Sequence, residues 1–120
     1  MIVTSYKGLL LGMACFLTGH IMVWYQLNGQ FLWKSFRENE WLVALAGFII
    51  SFFFIWGTKF TVDAMGGLLW PARFVGFALG ISQYAIFVNY YFSESITLKT
   101  WVSLALCFVL ITIQAFWKTS

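Results

Sequence analysis

The sequence predicts an all-α, polytopic membrane fold, a four-transmembrane-helix bundle that occupies residues 1–120 as one domain. Three observations predict it. Four apolar stretches, about residues 8–25, 42–58, 72–92 and 98–117, each approach the ~20 residues that a helix needs to cross ~30 Å of hydrocarbon. Charged residues make up 9% of the chain and hydrophobic ones 62%; a soluble domain carries roughly a quarter charged residues, so little is left for an aqueous unit. Trp24, Trp33, Trp41, Trp56, Trp70, Trp101 and Trp117 all fall near a predicted span end, where an amphipathic ring prefers the headgroup region. Tyr25, Tyr90 and Tyr91 extend the same belt. Only helices and closed barrels satisfy their backbone groups within lipid, and continuous apolar runs of this length exclude a barrel's alternating strands.

The first span holds Gly8, Gly12, Cys15 and Gly19 at spacings of four, three and four, which places them on one helical face. Lipid removes the hydrophobic force between helices, and small residues allow the close backbone approach that replaces it. The stripe is therefore read as a packing surface, with a thin wall beside a substrate path as the alternative. The apolar run continues past Cys15 to Trp24 without a small-x-small cleavage site, which fits a retained helix better than a signal peptide. Leu11-Gly12-Met13-Ala14-Cys15 matches a lipoprotein cleavage box poorly, because Gly12 stands where a Leu-like residue is expected. His20 is read first as an interfacial or hydrogen-bonded side chain and second as a proton relay.

Residues 26–40 interleave Phe31, Leu32, Trp33 and Phe36 with charges, and are expected to lie along the membrane surface as a short amphipathic turn or helix. Asn28-Gly29 supplies a turn before it. In the second span Gly47 and Ser51 form another small-x-x-x-small pair. Lys59 and Asp63 stand at i,i+4, within reach of each other if the helix persists. Gly66-Gly67 then ends it, and Pro71 begins the next span.

The third span is the most polar. Arg73, Gly76, Gly80, Gln83 and Tyr90 follow a three-four spacing, with Ser82 and Asn89 on a neighbouring stripe. Polar side chains within a span face the protein interior or a wet cavity, since facing lipid costs kilocalories. This span is thus the expected lining of a path. Arg73 has two readings: a side chain snorkelling to phosphate headgroups, or a buried cation paired with Asp63 or an anionic ligand. The link Ser93–Lys99 is short enough to make the third and fourth spans an antiparallel hairpin. Ser103, Cys107 and Gln114 share a face of the fourth span, which is expected to meet the third span or another protomer.

Lys7, Lys59, Arg73 and Lys118 lie on the side of the N-terminus, and Lys34, Arg37 and Lys99 lie opposite. The four-to-three bias favours both termini in the cytoplasm, and is also near the balance that dual insertion requires. A net charge of +3 on membrane flanks offers no basic cluster suited to nucleic acid. Cys15 and Cys107, in different spans, are read as packing residues rather than a disulfide. One histidine and no closely spaced Cys/His set exclude a structural zinc site. A cofactor stays open, because pigments and quinones bind apolar aromatic pockets without a motif.

Ile50-Ser-Phe-Phe-Phe-Ile-Trp-Gly-Thr-Lys-Phe-Thr-Val-Asp-Ala-Met-Gly-Gly67 resembles the second helix and tight turn of the small multidrug resistance proteins, four-helix members of the drug/metabolite transporter superfamily. Gly80-Ile-Ser-Gln-Tyr-Ala-Ile-Phe-Val-Asn-Tyr-Tyr-Phe-Ser-Glu-Ser-Ile-Thr-Leu-Lys-Thr-Trp101 resembles their third helix, glutamate-bearing loop and entry to the fourth. The resemblance implies the fold and a dimer. It does not carry over a coupling residue: where that family has a membrane-embedded glutamate in its first helix, this chain has Thr18 and His20 and no carboxylate.

Two functional expectations follow. One is a small transporter-like protein working as a homodimer or larger assembly on a small polar or amphipathic solute, with His20, Arg73, Gln83, Tyr84 and Asn89 as ligand-contacting residues and Gly8, Gly12, Gly19, Gly47, Gly76 and Gly80 as helix-packing residues. The other is an accessory or structural subunit packed within a larger membrane complex. An enzyme is not expected, since Glu38, Glu40, Asp63 and Glu94 all sit in or beside connections and no nucleophile, base or metal set converges.

Overall fold

Ser5 starts the first helix: its backbone is extended and its Oγ accepts a hydrogen bond from the Gly8 N–H at 3.1 Å, satisfying one of the donors a helix start leaves open. The computed structural model describes residues 3–117, so Lys118, counted above on the N-terminal side, lies outside the described residues. α1 runs over Tyr6–Asn28, followed by a 3-10 turn, Gly29–Phe31, and by α2, Lys34–Glu38. α3, Glu40–Leu45, leads into α4, Gly47–Ala64; α5 is Leu69–Phe92 and α6 is Leu98–Phe116. Three helical stretches, Tyr6–Phe31, Glu40–Ala64 and Leu69–Phe92, are long and apolar enough to cross a membrane, and a shorter apolar helix, Leu98–Gln114, follows.

The second stretch tightens locally at Ala46, whose N–H reaches back to the Val43 carbonyl at 3.2 Å while its own backbone stays helical. Gln26 of α1 donates its side-chain amide to that same carbonyl at 3.1 Å, and Gly47 leaves the space Gln26 needs. α4 persists beyond the apolar run that ends at Thr58, through Lys59 to Ala64. There Gly66 and Gly67 adopt φ of 69° and 81°, and the Gly67 N–H donates to the Val62 carbonyl at 2.8 Å, closing the helix with a Schellman-type bond. Pro71 falls in the first turn of α5, where a missing N–H costs nothing.

α1 packs chiefly on α4 and next on α5, while the packing of α6 among the described residues is chiefly on α5. α1 and α4 are antiparallel: the Thr4 N–H donates to the Ala64 carbonyl at 2.7 Å, Gly12 faces Thr61 and Gly57, and Gly19 faces Phe53 and Phe54. α1 and α5 run in parallel, with Phe16 on Gly76, His20 on Gly80 and Trp24 on Phe87. Phe16 also faces Gly57, so one buried ring fills a slot left by a glycine on each neighbouring helix.

The charges divide as the spans imply: Lys7, Lys59 and Arg73 stand at the end where α1 and α5 begin, and Lys34, Arg37 and Lys99 at the other. The expected Lys59–Asp63 pair does not form; both side chains are exposed, and the only ion pair among the described residues is Lys34–Glu38, at 3.6 Å. Five hydroxyls on the helices pair within their own helix: Thr18, Ser51, Thr58, Ser103 and Thr112 each donate to the carbonyl four residues back at 2.7–3.0 Å, whereas the buried Thr61 hydroxyl has no partner among the described residues. That leaves no hydroxyl donor of these five unmet where water is absent.

Trp24 departs from its place in the belt. It is 2% exposed, enclosed by Tyr25, Phe87, Tyr91 and Phe92 with ring centroids 5.2–6.0 Å away. The other six tryptophans are exposed. Tyr25 and Tyr91 share a hydroxyl–hydroxyl bond of 2.7 Å, and Trp33 stacks on Tyr25 at 6.0 Å. Gly29 lies directly beneath the Phe36 ring, so the connector folds back over the end of α1.

Candidate functional site

Beyond that aromatic cluster, toward the end where α5 begins, the three packed helices leave a cavity of about 390 Å³. α1 contributes Phe16 and His20, α4 contributes Phe54 and Thr58, and the first two turns of α5 contribute Leu69, Ala72, Arg73 and Gly76. The cavity exists because small residues stand where helices meet. A Cβ on Gly80 would lie 2.6 Å from His20 Cε1, so the imidazole is seated against bare α5 backbone. Its other contact is Phe54, whose ring it meets edge-on at 5.0 Å and 87°.

Arg73 borders this cavity while exposed to the outside. Among the described residues its guanidinium forms no ion pair and no hydrogen bond to a protein acceptor. It is therefore not a buried cation paired with Asp63. Thr58 spends its hydroxyl proton on the Phe54 carbonyl at 2.8 Å and presents only lone pairs elsewhere.

The residues expected to contact a ligand do not gather in one place. His20 and Arg73 share the cavity. Gln83 lies on the same α1-facing side of α5 one turn beyond Gly80, 5% exposed, and its Nε2 has no partner. Tyr84, one residue on, is rotated about 100° around the helix and is 47% exposed. It borders a separate groove of about 450 Å³ between α5 and α6, walled by Phe77, Ile81, Leu104 and Cys107, with Glu94 at its mouth. Asn89 is exposed and borders neither space. Tyr90, expected on the same face as Gln83, is 77% exposed, and Tyr91 turns inward in its place, as a three-four spacing drifts over several turns.

Of the glycines, Gly8 faces Ala64, Gly12 faces Thr61, Gly19 faces Phe54, Gly47 faces Gln26, Gly76 faces Phe16 and Gly80 faces His20. Gly57 and Gly29, which seat Phe16 and Phe36, are equally close-packed and carry no spacing signal that marks them. Phe16, Phe54 and Thr58 were likewise not legible as cavity residues. The only sign in the sequence is their four-residue spacing from His20 and from each other. Cys15 and Cys107 are free thiols on α1 and α6, and among the described residues no three His, Cys, Asp or Glu side chains converge as a metal site would require. Compared with protein-family models, with curated proteins and with solved structures, the chain gives no match.

Proposed function

We propose that this protein is a small transporter-like integral membrane protein, a four-helix bundle that moves a small polar or amphipathic solute as a dimer. The observation that carries the reading is the cavity where His20 and the unpaired Arg73 meet between helices whose other surfaces are apolar. A half-buried imidazole within a span costs free energy that packing alone does not return, and Arg73 stands at the outer edge of the same cavity. α6, 19 residues long, reaches roughly 28 Å at 1.5 Å per residue, near the thickness of the hydrocarbon, and joins the bundle as the fourth span. The likeness of residues 50–67 and 80–101 to the small multidrug resistance proteins supports the same arrangement. Counted with Lys118, the four-to-three bias of Lys7, Lys59 and Arg73 over Lys34, Arg37 and Lys99 favours the cytoplasm for the face on which α1 begins.

The test is flux of a panel of anionic, zwitterionic and cationic solutes into proteoliposomes. For a solute that is moved, His20→Ala and Arg73→Gln are expected to lower the rate about tenfold or more, the scale of one lost charge-assisted hydrogen bond. Asn89→Ala, outside both spaces, is expected to leave it within twofold. Equal rates for all three variants would refute the assignment of the site. A panel with no flux above protein-free liposomes would favour the accessory-subunit reading.

A further inference from the structure

None of the four acidic side chains of this chain lines the cavity; Glu38, Glu40, Asp63 and Glu94 are all exposed. What borders it is Arg73, whose five N–H donors meet no protein acceptor among the described residues. The start of α5 adds to this charge. Leu69 and Ala72 line the cavity, the N-cap residue Leu68 supplies no side-chain hydrogen bond, and a helix of 24 residues carries its positive dipole end there. Farther along the α1–α5 seam two more donors, Trp24 Nε1 and Gln83 Nε2, are buried without an acceptor. Two flat aromatic walls, Phe16 and Phe54, complete the cavity with the His20 ring perpendicular to Phe54, and Thr58, its hydroxyl proton already given to the Phe54 carbonyl, is the other polar lining residue.

We infer that the cavity takes an organic monocarboxylate with a flat apolar body, its carboxylate on Arg73 and the start of α5, its ring between Phe16, Phe54 and His20. A planar guanidinium presents a fork that matches a carboxylate with two parallel bonds. One unpaired cation balances one negative charge; a dianion would leave a charge uncompensated in a low dielectric, and a cation would meet Arg73 with no carboxylate to offset it. A volume of about 390 Å³ is at the small end of ligand sites and suits a single-ring solute. This names the solute class for the transporter reading and rests on it only in calling the ligand a solute. The phosphate of a lipid headgroup offers the same chemistry from a second source.

Equilibrium binding of radiolabelled benzoate to the full-length protein in phosphatidylcholine nanodiscs tests it. Binding should be saturable, displaced by other aryl carboxylates and not by benzyltrimethylammonium. Arg73→Gln should weaken it about tenfold or more, with Arg73→Lys recovering part of the loss. The competition arm uses only the wild-type protein and so does not depend on how a variant folds. Absence of saturable binding, displacement by the cation as effective as by the carboxylates, or an Arg73→Gln protein of native circular dichroism that binds benzoate unchanged would each overturn the inference. Replacing part of the lipid with phosphatidylglycerol separates the two sources. Unchanged benzoate affinity keeps a solute as the ligand, whereas affinity that falls in step with the anionic lipid reassigns the cavity to a headgroup. Benzoate bound but not carried faster than it leaks into protein-free liposomes would count against the transporter reading alone. Flux of a cation by a protein that does not bind benzoate would count against this inference alone.

Discussion

Gly8 and Gly12 stand one turn apart on the same face of α1, yet they do not have equal room. A Cβ on Gly8 meets Ser5 Oγ at 3.3 Å and Ala64 Cβ at 3.4 Å, contacts that small adjustments absorb. A Cβ on Gly12 runs into the Thr61 hydroxyl and lies 2.9 Å from the Thr61 backbone nitrogen. Thr61 is fully buried, so it has nowhere to move except with α4. Gly12→Ala is therefore expected to lower stability by about 1–3 kcal/mol, the usual cost of overpacking, and Gly8→Ala by less than ~0.5 kcal/mol. Thermal unfolding of the two variants in one detergent checks the difference, and equal melting temperatures would show that α1 and α4 are not packed in this register. Single residues were also where the sequence misled. Gln83 and Tyr84 both look like polar residues of one span, but one residue of rotation puts the first against α1 and the second toward α6. Trp24 sits at a span end by position, but the hydroxyl bond between Tyr25 and Tyr91 belongs to an aromatic cluster that encloses it. No hydropathy pattern distinguishes a ring that faces headgroups from one that faces the protein.

At the scale of elements, spans read from the sequence as 8–25, 72–92 and 98–117 correspond to α1, α5 and α6 within a turn at each end, because long apolar runs mark helix existence well. In the second span the apolar run ends before the helix does: hydropathy falls at Thr58 and Lys59, but Thr61 and Ala64 are buried against α1 and carry the helix nearly two turns further. The local tightening at Ala46 has no signal in hydropathy, since the Val43 carbonyl beside it is met by Gln26 of another helix. The stop after Ala64 was legible, because two consecutive glycines in that place permit the left-handed backbone that a Schellman closure needs. Gly67 isolates the value of that signal: its φ is 81° and a Cβ there would touch nothing within 4 Å. Gly67→Ala changes conformational strain and no packing contact, so a loss of about 1–2 kcal/mol is expected. Gly67→Asn should lose less, as asparagine tolerates this region better. Unfolding titrations of both variants measure it, and an alanine variant as stable as wild type would mean that this turn does not hold a left-handed residue.

The whole molecule measures 52 × 36 × 19 Å, and 19 Å is about two helix diameters. A slab this thin cannot wrap a solute on all sides. α6 does not help to close the cavity, since among the described residues it packs chiefly on α5 and contributes to the groove on that side rather than to the cavity. Its outer face instead presents Val102, Leu106, Val109 and Ile113, each 40–59% exposed, at spacings of four, three and four that form one stripe. In the dimer proposed above, this stripe is the face given to a second copy, and van der Waals packing between such faces is what associates helices in lipid. The prediction is made with cysteines, after replacing Cys15 and Cys107 by serine. Leu106→Cys should form disulfide-linked dimers on mild oxidation in the membrane. Ile49→Cys on α4, which is 56% exposed but on another side of the slab, should not. Cross-linking at Ile49 in place of Leu106 would move the interface to α4. Cross-linking at neither, with a single copy recovered by native mass spectrometry, would exclude the dimer. The transporter reading would fall with it, because one copy 19 Å thick lacks the walls that keep a solute from lipid.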